Sequence, residues 1–402
     1  NWGPRIGFAW HAGAKTVLRG GYGIFYSRYP IQYLLQTVAV NPPFAGTFNY
    51  SQSIQNGTRA LTINAPFSAR GSASVSPAGI QQDFALPNNQ QWNLTVEREL
   101  GWNTTATLSY LGNKGTHLFR SINANSAYID PGTNTIVRKY SSAYGTSAIN
   151  FRTSNGNSIY NAMNFEVRHR FYRHVIFQGN WTWAKGIDDV GQNVQSALLD
   201  VQNLGRDRAN SDYVRRHAMN LNGVYDLPIG RGQPFLKNMP RALETALGGW
   251  KLGGIWHFAT GRYLTPMFTS SGGLSNSRPD VVYGVQANLP RGERTAQQWF
   301  NPAAFAIVPA TDPVTGMARF GNAGRNIIVG PGTNYMDANL AKVVRLGSER
   351  RTLTLRVEAF NLLNHPNYGN PALNISNTTT VASITNVLRP MREVQFAARF
   401  AF

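Results

Sequence analysis

The residue types that could do chemistry are present, but their spacing does not assemble a reaction centre. Asp188 and Asp189 stand side by side after Trp183, where two carboxylates could hold a cation in an external loop. A calcium site wants about six to eight oxygen ligands, so the ordinary reading of the pair is the solvated start of a loop. Seven histidines (His11, His117, His169, His174, His217, His257 and His365) fall on separate strands and turns, and none forms an i, i+4 ligand pair. There is no G-x-S-x-G elbow, no H-E-x-x-H and no G-x-x-x-x-G-K loop. Gly20-Gly21-Tyr22-Gly23 has the glycine density of a nucleotide loop, yet it lies inside an alternating strand with no helix behind it. Asp207 with Arg206 and Arg208, and Asp212 with Arg215 and Arg216, read as loop and strand-end charge pairs that line a path or meet solvent and headgroups. The expectation is a protein that is not an enzyme, with no catalytic residue, no cofactor and no metal site.

The composition says what kind of scaffold carries these residues. Of 402 residues only 14% are charged, against roughly 25% in an ordinary soluble domain. Gly 39, Pro 21, Tyr 17, Phe 21 and Trp 9 are the profile of strands and turns. No run approaches the roughly 20 apolar residues of a membrane helix, and the absence of cysteine excludes disulfide scaffolds and thiolate metal sites. The net charge of +19 is almost all arginine, 31 against 7 lysines. It is scattered, with Arg168-His169-Arg170, Arg215-Arg216-His217 and Arg350-Arg351 the nearest to clusters, each by a strand end. That distribution speaks against nucleic acid and suits phosphate-bearing lipid headgroups, which match the guanidinium fork.

The elements that must position these side chains are strands. Period-two alternation recurs in segments of about ten residues, the signature of a transmembrane β-barrel. Met163, Phe165, Val167 and Phe171 alternate with Asn164, Glu166, Arg168 and Arg170; Trp92, Leu94 and Val96 alternate with Asn93, Thr95 and Glu97. Eleven such strands are predicted, at 5–12, 16–26, 89–99, 104–112, 160–171, 175–185, 216–227, 250–260, 336–346, 351–363 and 392–402. The links 12–15, 100–103, 172–174 and 347–350 are tight, whereas 27–88, 113–159, 186–215, 261–335 and 364–391 are long. The link 228–249 breaks the short class and holds a short helix between Pro240 and Gly248. Short turns on one side and long loops on the other are how outer-membrane barrels are built, with the short side periplasmic.

The wall also predicts its membrane contacts. In the last strand Val394, Phe396, Ala398, Phe400 and Phe402 share one face against Gln395 and Arg399 on the other, a lipid-facing anchor ending in an aromatic. Trp92, Tyr110, Trp181, Trp183 and Trp256 are expected at the membrane interface. The polar faces Asn164-Glu166-Arg168 and Thr354-Arg356-Glu358 should point into the lumen and knit it by cross-strand pairs. The aromatics of the long loops (Phe44, Phe48, Tyr50, Tyr140, Tyr144, Phe268, Tyr283 and Trp299) suit stacking on glycans or oligopeptides, and equally suit loop packing. Eleven strands cannot close an even-stranded antiparallel barrel. With Asn1-Trp2-Gly3-Pro4 at its head and no Met or signal peptide, residues 1–402 read as a single partial barrel domain.

The sequence resembles the C-terminal half of a TonB-dependent outer-membrane receptor, of the group with a carboxypeptidase-regulatory-like domain before the plug. The likeness runs through Gly3-Pro4-Arg5-Ile6-Gly7-Phe8-Ala9-Trp10, Arg19 to Tyr26, Gln91-Trp92-Asn93-Leu94, Tyr110-Leu111-Gly112-Asn113-Lys114-Gly115-Thr116-His117-Leu118, Trp181-Thr182-Trp183-Ala184-Lys185, Phe300-Asn301-Pro302-Ala303-Ala304-Phe305 and Phe360-Asn361-Leu362-Leu363-Asn364-His365-Pro366-Asn367. The resemblance implies an all-β, antiparallel transmembrane barrel of 22 strands, of which these eleven would be about half. It implies a plug and a TonB box, neither of which this chain shows. The implied partners are outer-membrane lipid and lipopolysaccharide, the barrel-assembly machinery, the TonB complex through the missing N-terminal part, and an extracellular ligand of unknown identity. Rival readings are a structural or adhesive surface barrel that never opens, an outer-membrane hydrolase for which no Ser/His/acid cluster assembles, and a soluble β-sandwich or lectin that would need no detergent.

Overall fold

The computed structural model describes residues 2–28, 77–172, 174–191, 199–269, 277–346 and 351–402, with short pieces at 31, 35, 37, 41, 47–49, 54–55, 58–59, 72–74 and 274. Arg173, the turn 347–350, Phe44, Tyr50 and the side chain of Phe48 lie outside the described residues. Eleven long strands form one sheet in chain order. They are β1 (Arg5–Gly13), β2 (Thr16–Tyr26), β3 (Asn88–Gly101), β4 (Thr104–Asn123), β5 (Asn150–Tyr172), β6 (Val175–Asp188), β7 (His217–Asp226), β8 (Trp250–Ala259), β9 (Thr333–Arg345), β10 (Thr352–Phe360) and β11 (Glu393–Ala401). Each pairs antiparallel with the next. Two short strands join this sheet: Ala78–Ile80 runs parallel to the start of β5, and Ala209–Asn210 pairs with the end of β6.

Register carries the division into two faces from strand to strand. On one face Leu94 stands opposite Gly20 and Tyr110, Phe165 opposite Leu108 and Trp181, Trp256 opposite Leu221 and Met336, and Val357 opposite Leu340 and Phe396. On the other face Thr95 stands opposite Arg19 and Ser109, Glu166 opposite Thr107 and Asn180, and Glu358 opposite Asn339 and Gln395. A one-residue slip would exchange the faces, so the pattern pins the register. The apolar face is bare: Ile6, Phe8, Trp10, Leu94, Phe165, Leu252, Leu355 and Phe396 are all exposed. So broad an uncovered apolar surface requires a lipid solvent.

Local devices fit the ladder to its side chains. Trp102 and Asn103 have φ of 48° and 56°, so the β3–β4 link is a two-residue hairpin of the kind whose twist matches the strands. Gly112 lies directly opposite Trp92, whose indole occupies the place of a Cβ there. Gly20 does the same for the Phe8 ring. These glycines make room for a neighbour's ring rather than for a ligand. The helix in the 228–249 link spans Arg241–Leu247, starts after Pro240 and stops at Gly248. At Gly249 the φ of 70° and the close approach of the Val343 carbonyl exclude a side chain.

The buried apolar core lies outside the wall. It comprises Leu264, Phe268, Phe300, Ala304, Phe305, Val308, Ile328, Ile375 and Ala382, all from the segments between β8 and β9 and between β10 and β11. Short pairs (Tyr263–Leu264 with Ile328–Val329, Asp280–Val281 with Phe305–Ala306) and two single-turn helices frame it. These loops are a packed cap, not irregular connections. The long loop 113–159 is corrected as well, because β4 continues to Asn123 and β5 begins at Asn150. Above residue 113 apolar-out alternation ceases while the ladder continues, and Arg120, Ser121, Arg152, Thr153 and Ser154 are buried there. The sequence signal tracks lipid contact, and these strands outrun the lipid.

The faces differ in what they tolerate. Leu355→Arg, on the outer face, is expected to lower stability in lipid vesicles by about 2–4 kcal/mol, whereas Glu358→Gln on the inner face shifts the urea midpoint little. Equal shifts would contradict the assignment of faces.

Candidate functional site

The outer face collects the expected aromatics. The Trp92 Nε1 donates to the Tyr110 hydroxyl at 3.5 Å, and that hydroxyl donates to Asn161 Oδ1 at 2.7 Å. Trp256 Nε1 donates to Asn334 Oδ1 at 2.7 Å, and Trp181 stacks on His217 at 5.8 Å. Trp183 is exposed two residues beyond Trp181. Each ring thus has an apolar body against the wall, and Trp92, Tyr110 and Trp256 also have a bonded polar tip. From Trp92 to the end of β3 at Gly101 is ten residues, and a membrane strand needs about 9–11. In β11, Val394, Phe396 and Phe400 face outward, and Phe402 stacks on Phe400 at 5.8 Å.

The inner face is polar and largely self-satisfied. Polar side chains bond across strands: Thr95 Oγ1 donates to Ser109 Oγ at 3.0 Å, Thr182 Oγ1 to Asn164 Oδ1 at 3.1 Å, and Gln178 Nε2 to the Glu166 carboxylate at 3.0 Å. The expectation of cross-strand charge pairs holds for Arg19 with Glu97 at 3.1 Å. It fails for Arg168 with Glu166 at 2.7 Å and Arg356 with Glu358 at 3.2 Å, which pair along one strand. The next residue but one on a strand shares its face, and a long arginine reaches it. Near the cap, the Arg389 guanidinium lies 3.4 Å above the Tyr335 ring and 3.6 Å from Asp337 Oδ2. Tyr335 stacks on His257 at 5.0 Å, and His257 Nδ1 is 2.6 Å from Asn220 Oδ1. Arg389 was not legible as a site residue, since nothing in 364–391 announces that it returns to the wall.

The cap is stitched to the strand ends by arginine and aspartate. Asp188 and Asp189 are not a solvated loop start. Asp188 is buried and pairs with Arg325, while Asp189 Oδ1 receives Arg120 Nη2 at 2.7 Å. Asp207 does not pair with its neighbours Arg206 and Arg208 but with Arg278, at 3.1 Å, and both partners are buried. Arg206 instead donates to the Gly321 carbonyl at 2.9 Å, and Arg215 to the Thr260 carbonyl at 2.5 Å. Arg325 also donates to the Asp207 carbonyl at 2.7 Å. Burial pushes the Asp207 carboxyl up and the Arg278 guanidinium down, because here desolvation outweighs the attraction of each for the other. Among the described residues no group of three His, Cys, Asp or Glu could hold a metal.

Further out, Arg319 grips Asp280 with two bonds of 3.0 and 2.6 Å and reaches Asp312 at 3.0 Å. The Arg319 hydrogen bonds hold Asp280 below the usual carboxylate range. Backbone N–H donors of Thr315 and Val314, then Arg319, do the same for Asp312. Within the cap the space between Ile136, Leu199, Phe268 and Phe320 is about 10 Å³, the size of one water. Of the loop aromatics, Phe268 is core and Trp299 packs on Tyr368, its Nε1 bonded to the Val329 carbonyl. Tyr140, Tyr144 and Tyr283 are exposed and available to a ligand.

A sequence profile of the family described as "Outer membrane beta barrel domain" matches residues 1–395. Among solved structures, the outer membrane transporter YddB from Escherichia coli aligns with 95% of this chain and 38% of its own, at 10% identity and a TM-score of 0.49. The siderophore receptor PirA from Acinetobacter baumannii aligns with 100% of this chain and 41% of its own, at 11% identity and a TM-score of 0.45. BauA, the ferric preacinetobactin receptor of the same organism, aligns with 100% and 36%, at 13% identity and a TM-score of 0.44. The chain spans well under half the length of each. No protein of curated function matches the chain by sequence.

Two outcomes follow from the cap electrostatics. Arg278→Met strands a buried Asp207 carboxylate and should destabilise the cap by about 3–5 kcal/mol, while Arg278→Met with Asp207→Leu recovers most of that loss; amide exchange of 277–308 under urea measures both. Asp280 and Asp312 have folded values below their unfolded ones, so their contribution is present at neutral pH and lost as pH falls through the folded values. Pulse-labelled exchange should show 280–322 loosening in acid, and Arg319→Met should shrink that acid limb, leaving the part that the backbone donors to Asp312 and Asp280 supply. An acid limb unchanged in Arg319→Met would contradict the assignment.

Proposed function

The chain belongs to the outer membrane β-barrel domain family and resides in the outer membrane; from that premise we propose that it is the C-terminal barrel half of a TonB-dependent receptor. In this reading the parent protein is of the group with a carboxypeptidase-regulatory-like domain before its plug. Its cap captures a substrate at the cell surface, and the polar inner wall conducts it when the plug is withdrawn. The observation that carries the reading is the pairing of one lipid-facing and one hydrogen-bonding face through eleven consecutive antiparallel strands. Among the described residues, β1 pairs only with β2 and β11 only with β10. Such edges cannot face hydrocarbon with their N–H and C=O groups unpaired, which supports a wall completed by further strands.

The exposed Tyr140, Tyr144 and Tyr283 and the Arg389–Tyr335–His257 stack are the surfaces assigned to the substrate. Stacked rings with amides and a guanidinium beside them suit glycans or oligopeptides. Trp92, Tyr110, Trp181, Trp183 and Trp256 are assigned to the interfacial girdle, and Val394, Phe396, Phe400 and Phe402 to the anchoring strand read by the barrel-assembly machinery.

The test is the native protein extracted from outer membranes in detergent. An intact mass of about twice 44.4 kDa or more, with retention on the immobilised periplasmic domain of TonB, is the expected result. A native mass near 44.4 kDa without TonB retention would leave the wall with no gate and sink the transport reading.

A further inference from the structure

The link between β7 and β8 is built differently from the other turns on its side, and its construction points to a ligand. Its helix, Arg241–Leu247, lies over the outer, lipid-facing side of the sheet, not over the lumen. Two contacts fix it there. Trp250 Nε1 donates to the Ala246 carbonyl at 3.0 Å, and the Lys342 ammonium donates to the Gly248 carbonyl at the helix end. Lys342 belongs to the outward file of β9, between Leu340 and Val344 and opposite Trp250 and Leu355. It is only 6% exposed, and its Nζ lies 5.3 Å from the Trp250 ring.

Between this helix and the outward faces of β9, β10 and β11 runs a groove of about 640 Å³, within the range of about 300–1,000 Å³ typical of small-molecule clefts. Leu340, Leu355, Val357 and Phe396 floor it, Ala246 and Trp250 flank it, and Lys342 is the ammonium that lines it. The link itself is exposed where it should not be in water. Phe235 and Leu236 before the helix, and Leu243 and Leu247 on it, are exposed beside the exposed cations Arg231 and Lys237. Apolar side chains interleaved with cations are the pattern of a segment lying in the headgroup–acyl boundary. The helix's carboxylate, Glu244, accepts from the Arg231 N–H at 2.7 Å and also attracts the Lys342 ammonium, so an anion in the groove shares the lysine with it.

We propose that the 228–249 link lies in the periplasmic leaflet and that the groove beneath it holds one glycerophospholipid, its acyl chain along Leu340, Leu355, Val357 and Phe396 and its phosphate at Lys342. An ammonium offers three N–H donors, of which the Gly248 carbonyl takes one. Charge complementarity selects the occupant: an apolar channel on the lipid-facing side of the wall, with the Lys342 ammonium near the end of β9 beside the amphipathic link. The inference rests on which face of the wall meets lipid and not on transport, so a receptor that fails to bind TonB leaves it untouched.

The experiment is native mass spectrometry of the full-length protein, stripped of lipid in detergent and incubated with palmitoyl-oleoyl phosphatidylglycerol. One retained lipid per protein is expected. Lys342→Met should lower the bound fraction about tenfold, as should Ala246→Trp and, from the sheet side, Leu355→Trp, each of which fills the groove. Glu358→Gln on the inner wall should leave it unchanged. Heat-modifiable migration in a cold gel reports that each variant is a folded barrel, and two filling variants guard against one that is not. Equal retention by all variants overturns the proposal, as does binding of inorganic phosphate alone that displaces the lipid. A paired second copy of the chain seated in place of lipid overturns it too.

Discussion

In hydrocarbon every backbone N–H and C=O must find a protein partner, and the rest of this molecule follows from that constraint. An unbroken antiparallel ladder is the solution these strands adopt, from Arg5↔Gly23 in the first pair to Leu353↔Phe400 in the last. Once the ladder is fixed, side chains alternate by geometry, and the sequence has only to write lipid on one parity and water on the other. The 228–249 link apart, the described turns on the short side need only reverse the chain, as Trp102-Asn103 does with two left-handed residues.

The wall therefore has no interior core of its own, and the molecule's conventional core sits in the cap. Phe300, Ala304 and Ile328 are buried there as in a soluble domain. Arg325 holds the cap on the end of β6 at Asp188, Arg278 holds it on the β6–β7 loop at Asp207, and Arg120 ties β4 to Asp189 beside them. Such pairs contribute little net stability, since desolvation opposes them, but they are intolerant of losing one member.

This division explains what the sequence could and could not disclose. Nine of the eleven wall strands are legible within a few residues, and the membrane halves of β4 and β5 with them, because lipid contact writes a period-two code. So is the helix of the 228–249 link, marked by Pro240 and Gly248. The upper halves of β4 and β5 are not, because beyond the membrane the ladder continues while both faces turn polar. The cap core is invisible for a related reason: Phe268, Phe300 and Ile328 are far apart in sequence, and the cap's two-residue strands and loops are too short to show a period. The arginine latches were misread locally. Asp207 lies between two arginines and pairs with neither, since Arg206 reaches the Gly321 carbonyl and Arg278 arrives from another loop. Charge adjacency in a loop is a poor guide once three loops pack together.

The sequence contains no cysteine, so single cysteines can be placed without background. The measurement that tests the account most directly is nitroxide accessibility along β10 in lipid vesicles, from residue 353 to residue 359. The account predicts that labels at Leu353, Leu355, Val357 and Ala359 are reached by oxygen and shielded from a water-soluble nickel chelate, with the reverse at Thr354, Arg356 and Glu358. Chelate access at all seven positions, with no period of two, would mean that this sheet does not span a membrane.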